Sequence, residues 1–270
     1  MTVFRDDVLK GKTALITGGG TGICKEIAKV FSGHGANLAI TSRKQENLDT
    51  AKAEIEEATG GKVIAKAADV RNYEQVEAVV KATADAFGGI DILINGAAGN
   101  FPCPIAGLSP NGFNTVVQID LIGTFHMTKA CFEHLQTAGA KHGNANVIAI
   151  SATLQYTGMP FQAHVSAAKA GVDAFIRTVA NEWGPLGVRA NIVAPGPIGD
   201  TEGMRRLAPT PELTARSMSK VPLKRFGTTR EIADACLFLV SDASKFTTGA
   251  TLIVDGGSWI ASPGVGGFEL

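Results

Sequence analysis

Cysteine is scarce in this chain, and its arrangement excludes two common uses of the residue. The 270 residues include four cysteines, Cys24, Cys103, Cys131 and Cys236, and no two of them form a Cys-x-x-Cys pair. Scattered cysteines of this kind predict neither a disulfide framework nor a zinc site. We therefore expect four reduced thiols, in the core or on helix surfaces, and no bound metal.

An excess of charge of either sign is also missing, because 25 Lys and Arg residues balance 25 Asp and Glu residues. A chain without a net field is not expected to bind nucleic acid. No apolar run approaches the roughly 18 residues that a membrane-spanning helix requires. Residues 1–7 are too acidic and too poor in apolar side chains for a secretory signal peptide. These absences predict a soluble intracellular protein with no membrane partner.

Glycine and apolar residues are abundant instead, with 32 glycines and a hydrophobic content of 45%. Seven nearly continuous apolar runs are typical of strands that are covered on both faces: Thr13–Thr17, Asn37–Thr41, Lys62–Ala67, Ile90–Asn95, Asn146–Ser151, Val188–Ala194 and Thr251–Asp255. Segments of helical period lie between them, among them Lys44–Thr59, Tyr73–Phe87, Gly112–Gln136 and Val165–Trp183. The alternation predicts a single-domain α/β protein over residues 1–270, with a doubly wound, parallel, seven-stranded sheet.

The segment Ile198–Val221 departs from this alternation. It is interrupted by prolines, carries Arg205 and Arg206, and follows the end of a predicted strand. Ligands bind in open α/β sheets at the carboxyl ends of the strands. The segment is therefore predicted to form a small lid over the ligand crevice.

The first predicted strand leads into a glycine-rich turn and then into a helix. The residues of this turn are Gly18, Gly19, Gly20, Thr21, Gly22 and Ile23. Glycines permit a tight turn and a close approach of backbone to a pyrophosphate, which the helix N-terminus also attracts. The turn therefore predicts a dinucleotide site; the alternative is a turn that has a structural role and binds no ligand.

The end of the second predicted strand indicates which dinucleotide binds. A site selective for NAD carries Asp or Glu there, to accept hydrogen bonds from the ribose hydroxyls. This chain has Ser42 and Arg43 instead, which offer a donor and a fixed cation to a 2′-phosphate. We therefore predict NADPH as the cofactor; the alternative is that Arg43 is only a solvated residue of the first helical turn.

Five motifs in order resemble those of the short-chain dehydrogenases/reductases, over roughly residues 10 to 258. They are the glycine-rich turn, Asp69-Val70, Asn95-Gly96-Ala97-Ala98-Gly99, the helix around Lys169, and Val254-Asp255-Gly256-Gly257. The loop Pro195-Gly196-Pro197-Ile198 resembles the family's nicotinamide loop. The resemblance implies a Rossmann fold. It also implies that Asp69, Val70, Asn95, Ala97, Lys169, Pro195, Ile198 and Thr201 contact the cofactor.

The chain departs from the family pattern at several positions. Cys24 replaces the third glycine of the turn, and Gly96 replaces the second asparagine of its motif. Val165 stands where the family places the Tyr that protonates a carbonyl oxygen, and Ala152 stands at the position of the usual Ser. A reductase that keeps Lys169 but lacks this acid is not expected to be an ordinary ketone reductase.

Within the family, the motifs resemble the 2,4-dienoyl-CoA reductases of the peroxisomal type, which also lack the Tyr. That resemblance implies NADPH-dependent reduction of 2,4-dienoyl-CoA to 3-enoyl-CoA in the β-oxidation of unsaturated fatty acids. Reduction of a diene forms no hydroxyl group, so a tyrosine aimed at an alcohol oxygen is unnecessary. It also implies a homotetramer or homodimer, and a peroxisomal or cytoplasmic location, although Gly267-Phe268-Glu269-Leu270 is not a Ser-Lys-Leu address.

Three residues are the catalytic candidates. The resemblance implies that the ammonium of Lys169 holds the nicotinamide ribose and makes the pocket positive. Asp120 replaces an Asn that the family places near this lysine, so its carboxylate is predicted either to order a proton relay or simply to support Lys169. Asp173 lies one helical turn after Lys169 and is a second relay candidate, or else a plain surface partner.

The substrate candidates are cations for the CoA phosphates and side chains for the acyl end. The cations are Arg43, Arg71 and Arg206. For each of them, the alternative interpretation is a solvated surface arginine. Phe101 is predicted to pack on the acyl chain or to have a local core role. Tyr156 is the only tyrosine near the site and lies on the expected substrate loop.

Two rival interpretations stay open at this point. A 3-oxoacyl-type carbonyl reductase would need a relocated acid, such as Tyr156 or an aspartate. A non-catalytic dinucleotide-binding sensor would need no acid at all, but it would have no reason to retain Lys169.

Overall fold

The apolar runs form one parallel sheet, as the sequence predicts. The computed structural model describes residues 3–207 and 210–261, apart from the side chains of Glu202, Arg206 and Leu207. The strands are β1 (Thr13–Thr17), β2 (Asn37–Thr41), β3 (Val63–Ala65), β4 (Ile92–Asn95), β5 (Ala145–Ile150), β6 (Val188–Pro195) and β7 (Thr251–Val254). Their order across the sheet is β3-β2-β1-β4-β5-β6-β7, and each neighbouring pair is parallel. The strand order reverses between β1 and β4, which creates a crevice at their carboxyl ends.

Helices cover both faces of this sheet. They are α1 (Gly22–Gly33), α2 (Gln45–Thr59), α3 (Tyr73–Phe87), α4 (Pro110–Val117), α5 (Gly123–Ala130), α6 (Phe132–His142), α7 (Leu154–Thr157), α8 (Ala163–Trp183), α9 (Glu202–Leu207), α10 (Pro211–Ser219) and α11 (Thr229–Val240). Short 3₁₀ turns lie at Ile105–Gly107, Gly184–Leu186, Asp242–Ser244 and Ser258–Ile260, and a π-helical turn lies at Gln118–Ile122. None of the described helices is long and apolar enough to cross a membrane.

Each face of the sheet has its own apolar core. On one face, Phe31 of α1 and Leu237 of α11 belong to a buried cluster with Ile40 of β2. On the other face, Ile176 of α8 belongs to a second cluster with Leu93 of β4. Burial on both faces explains why the strands read as continuous apolar runs in the sequence rather than as alternating ones. All four cysteines are free thiols, as expected.

Some element ends differ from those predicted. β3 is shorter than Lys62–Ala67, and β4 begins at Ile92 rather than Ile90. Just before β4, the backbone of Asp91 bonds Thr13 and Asn146, and its carboxylate accepts a further hydrogen bond from the backbone N–H of Thr13 at 2.9 Å. The side chain of Asp91 therefore adds a hydrogen bond to the first residue of β1, just before β4 begins.

The prediction of one helix over Gly112–Gln136 was wrong. The segment begins earlier, at Pro110, because the Ser109 hydroxyl caps α4 by accepting from the N–H of Gly112 at 3.0 Å. It continues to His142 and is divided into α4, the π-helical turn, α5 and α6. A π-turn inserts an extra residue into a helix and is frequent at functional sites. Here the turn contains Asp120, whose side chain is fully buried.

Two of the departures from the family pattern meet in the structure. Gly96 follows β4, and Cys24 lies in the first turn of α1. A Cβ atom at position 96 would overlap the sulfur of Cys24 and would lie 3.2 Å from the carbonyl oxygen of Thr17. The sulfur therefore fills the space that a larger residue at position 96 would use, so each residue permits the other.

This packing predicts a coupled effect on stability. Gly96→Ala should lower the melting temperature by several degrees, because overpacking a buried site costs about 1–3 kcal/mol. Cys24→Ala removes the sulfur, so the double variant should recover most of that loss. Thermal unfolding of the two single variants, the double variant and the wild type measures the coupling energy. Strictly additive losses would contradict the shared-space explanation.

Candidate active site

The glycine-rich turn lies on the carboxyl edge of the sheet. Gly18 and Gly22 have φ angles of 72° and 54°, in the left-handed region that favours glycine. The N–H of Gly18 donates to the carbonyl of Thr41 at 2.8 Å, which ties the turn to the end of β2. The Thr21 side chain does not cap α1. The first N–H groups of this helix are therefore oriented toward the crevice with no side-chain cap, as an anion site requires.

A cavity of about 360 Å³ lies between this turn and the end of β2. It brings together eight of the predicted cofactor residues: Gly18, Gly20, Thr21, Ser42, Arg43, Asp69, Val70 and Ala97. The sequence analysis missed five further lining residues: Lys44, Asn47, Ala68, Ala98 and Ile119. A Cβ atom at Gly20 would lie 3.3 Å from the Ser42 hydroxyl oxygen, so glycine keeps this cavity open.

The charged wall of the cavity contains both Asp69 and Arg43. Arg71 binds Asp69 through its Nε atom, at 2.9 Å and 3.0 Å from the two carboxylate oxygens. Hydrogen bonds from Arg71 lower the pKa of Asp69, despite the opposing effect of burial. Arg71 is thus committed to Asp69, whereas Arg43 is exposed and forms no ion pair within the described residues.

The loop after β4 is held by a residue that the sequence analysis did not single out. The hydroxyl oxygen of Thr17 accepts hydrogen bonds from the N–H groups of Gly96 at 2.9 Å and Ala97 at 3.0 Å. Asn95 is buried and donates to the hydroxyl of Thr128 at 3.0 Å. The only sequence signal for Thr17 was its place as the last residue of the first strand.

Lys169 and Asp120 form a buried ion pair. The Nζ atom of Lys169 lies 3.2 Å from Oδ2 of Asp120, and the two side chains are 8% and 0% exposed. Nζ also donates to the carbonyl of Ile150 at 2.9 Å. Oδ1 of Asp120 accepts from the N–H of Gly99 at 2.7 Å. The pair thereby joins the loop after β4, the π-turn, the end of β5 and α8.

The position of the absent tyrosine is filled by apolar packing. Val165 is buried in a small cluster with Val116 and Ala168. It presents no group that can donate a proton, so the site's polar chemistry near α8 rests on Lys169 and its neighbours.

Asp173 lies in a separate hydrogen-bond network on α8. Its carboxylate accepts from the Ser151 hydroxyl at 2.6 Å, from Nε2 of Gln155 at 2.9 Å and from the hydroxyl of Tyr156 at 2.5 Å. The partner of Lys169 is Asp120, not Asp173. Burial, and then the hydrogen bond to Asp173, raise the pKa of the Tyr156 phenol. The phenol is therefore a weaker acid than a free tyrosine.

The predicted lid follows the last residue of β6, Pro195. Ile198 is bridged to Gly227, and the hydroxyl of Thr201 donates to the Ile198 carbonyl at 2.7 Å. The helices α9 and α10 come next and make up most of the predicted lid. The side chain of Arg206 lies outside the described residues. Phe101 lies on the loop after β4 and is 40% exposed.

Comparison with known proteins agrees with this architecture. A family model described as Enoyl-(Acyl carrier protein) reductase matches residues 18–258. A peroxisomal 2,4-dienoyl-CoA reductase of Saccharomyces cerevisiae, described as (3E)-enoyl-CoA-producing, is 46% identical over 95% of this chain and 87% of its own length. The protein of the same description from Arabidopsis thaliana is 45% identical over 96% of this chain and 88% of its own.

A solved structure supports the same assignment. The crystal structure of a short chain dehydrogenase from Bacillus anthracis is 39% identical and aligns with a TM-score of 0.81, over 93% of this chain and 97% of that one. Sequence and fold thus agree over nearly the whole length, and the chain belongs to the short-chain dehydrogenase/reductase family.

Proposed function

We propose that this chain is an NADPH-dependent 2,4-dienoyl-CoA reductase that forms 3-enoyl-CoA. The observation that carries the proposal is the buried Lys169–Asp120 pair beside an apolar Val165. A site of this kind can hold negative charge on a substrate oxygen, but it has no tyrosine to protonate an alcohol. The names of the relatives from yeast and Arabidopsis point to the same reaction.

The reaction is balanced by one hydride and one proton. Hydride adds to the far end of the conjugated diene, and the electron pair moves through the double bonds to the thioester oxygen. A proton then adds to the carbon beside the thioester, which leaves one double bond in the product. The protein must therefore stabilise an enolate oxygen and admit a proton, which are electrostatic and acid–base tasks.

The residues of the turn and cavity fit a dinucleotide. Glycines at the turn leave room for a pyrophosphate, and the N-terminus of α1 supplies N–H donors. Arg43 supplies an exposed cation that forms no ion pair within the described part of the chain, which favours a 2′-phosphate and hence NADPH. When bound, the nicotinamide supplies the hydride; Pro195, Ile198 and Thr201 are proposed to border it.

Lys169 and Asp120 are proposed to act together in stabilising the enolate oxygen and delivering the proton. An ammonium has three N–H donors. One N–H of Lys169 donates to the Ile150 carbonyl, and the ammonium forms an ion pair with Asp120, so donors remain for the ribose or the substrate. Asp120 fixes the direction of this ammonium and offers a buried oxygen, Oδ2, that has no hydrogen-bond donor within the described residues. A water beside Oδ2 would complete a proton relay.

Asp173 is the second relay candidate, and its network disfavours the rival carbonyl reductase. The hydroxyl of Tyr156 donates to Asp173, so its proton is directed at this carboxylate and not at a substrate oxygen. The carboxylate of Asp173 instead accepts hydrogen bonds from three side chains close to the end of β5. This network can order a water for the relay. No other described tyrosine lies on this loop.

Substrate and assembly follow from the same site. Arg43 and Arg206 are proposed to meet CoA phosphates, whereas Arg71 would have to leave Asp69 to do so. A groove of about 860 Å³ between α3, α5, α6 and α8 is lined by aromatic side chains such as Phe125 and Phe175 together with charged ones such as Glu182. We propose that this face joins two copies in a homodimer or homotetramer. The relatives' names favour a peroxisomal location over a cytoplasmic one.

One assay separates this function from its rivals. Purified protein is mixed with NADPH and either 2,4-decadienoyl-CoA, a 3-oxoacyl-CoA of equal length, or no substrate. We expect NADPH oxidation with the dienoyl thioester alone, together with loss of the diene absorbance. Oxidation with the 3-oxoacyl thioester would favour the carbonyl reductase, and none with either would favour a sensor.

Arg43→Ala tests the choice of cofactor. The KM for NADPH should rise at least about 10-fold, because a charged contact to the 2′-phosphate is lost, while the KM for NADH stays within about twofold. The matched control is Lys245→Ala, which removes an exposed cation that lines neither the cofactor cavity nor the proposed subunit interface. Equal effects on both cofactors would remove the 2′-phosphate argument.

Asp120→Asn tests the relay. The variant keeps the size of the side chain but loses the negative charge, so dienoyl reduction should slow by about 10- to 100-fold. The solvent isotope effect on kcat should grow as protonation becomes more rate-limiting. Melting temperature and the Kd for NADPH serve as controls for folding and cofactor binding. A wild-type rate with an unchanged isotope effect would exclude Asp120 from the relay.

A further inference from the structure

His164 is a buried residue whose role the proposed reaction leaves open. It lies in the first turn of α8, next to Val165, and its side chain is fully buried. The backbone N–H of Val165 donates to its Nδ1 atom at 2.9 Å. This bond satisfies one of the N–H groups that a helix start leaves unpaired. Because Nδ1 accepts, the proton of the neutral ring is on Nε2, and the ring orientation is fixed.

The fixed imidazole supports Phe101. The two rings are perpendicular, at 89°, with their centroids 4.5 Å apart, the edge-to-face geometry that aromatic pairs prefer. Phe101 is also confined from the side of α4, because a Cβ atom at Gly112 would lie 3.2 Å from Cζ of the Phe101 ring. His164 and Gly112 therefore set where the ring lies, although 40% of Phe101 remains exposed.

Phe101 lies on the loop that contacts the buried ion pair. Phe101 is two residues beyond Gly99, whose N–H donates to Asp120 of the buried ion pair. The same loop is joined to the segment before α8, because the N–H of Cys103 donates to the carbonyl of Phe161 at 3.0 Å. Phe161 has a φ of 66°, an uncommon value for a side-chain-bearing residue, and is itself exposed. Two exposed phenylalanines thus lie on two hydrogen-bonded segments near the ion pair.

We propose that His164 is a positioning residue for the acyl chain of the substrate. It holds Phe101 as an apolar shelf on which the part of the acyl chain beyond the diene packs. The inference rests on the proposed function, because the occupant of the shelf is the acyl chain of a dienoyl thioester. An acyl chain fits this place because the shelf is apolar, exposed and continuous with the loop that contacts Asp120. His164 itself does not touch the reacting atoms.

The test compares short and long substrates. His164→Asn retains an acceptor for the N–H of Val165 but removes the ring that supports Phe101. With 2,4-dodecadienoyl-CoA, kcat/KM should fall about 10-fold through KM, with kcat within about twofold of wild type. With 2,4-hexadienoyl-CoA, whose chain has a single methyl group beyond the diene, both constants should stay within about twofold. Phe101→Ala should give the same chain-length-selective loss.

A double variant shows whether His164 acts through Phe101. His164→Asn combined with Phe101→Ala should be no worse than Phe101→Ala alone, because the shelf is already gone. Gly112→Ala, which crowds Phe101 without changing His164, should reproduce the selective loss and covers the case in which His164→Asn does not fold. Phe246→Ala removes an exposed phenylalanine elsewhere and should have no effect.

Binding of hexanoyl-CoA and dodecanoyl-CoA, measured by calorimetry, separates this inference from the proposed function. His164→Asn should weaken dodecanoyl-CoA selectively, whether or not the protein reduces dienes. If the wild type binds dodecanoyl-CoA but reduces no dienoyl thioester, the proposed function is contradicted, whereas the role of Phe101 in binding the acyl chain is not. Equal losses for both chain lengths, or additive losses in the double variant, would overturn the role of His164.

Discussion

The buried ion pair between Lys169 and Asp120 is the contact on which the rest of the site depends. Removing one partner of such a pair leaves an uncompensated charge away from water, at a cost of about 3–5 kcal/mol. The pair is held by the N–H of Gly99 and the carbonyl of Ile150, so it fixes the loop after β4 relative to the end of β5. The loop after β4 in turn lines the cofactor cavity through Ala97 and Ala98, beside the glycine-rich turn.

The π-turn explains how Asp120 reaches that position. The π-turn adds one residue between α4 and α5, which changes the direction in which the side chains of α5 point. As a result, α4 and α5 pack on either side of the buried carboxylate of Asp120. Gly123 continues the helix directly against Val70, where a Cβ atom would overlap the valine side chain. The cofactor cavity, which Val70 lines, and the Lys169–Asp120 pair are therefore linked through one irregular stretch of helix.

The strands, their parallel order and the dinucleotide cavity were predictable, because burial on both faces and a glycine-rich turn leave a direct trace in the sequence. The break in Gly112–Gln136 was not, since its apolar period continues through the π-turn. Thr17 and Lys44 were missed because their roles depend on which strand ends meet. The pairing of Lys169 with Asp120 rather than Asp173 was likewise undecided: both aspartates are near in the fold, and only the network around Ser151 and Tyr156 separates them.

The contact between Cys24 and Gly96 constrains how this sequence can diverge. A lineage that acquired a side chain at position 96 would lose less stability if the sulfur were lost first, so the two substitutions are coupled. Burial also raises the pKa of the Cys24 thiol to about 12, which keeps it protonated and unreactive at physiological pH. This cysteine is consequently retained for its volume and not for its redox chemistry, and oxidants or alkylating reagents should leave the cofactor turn intact.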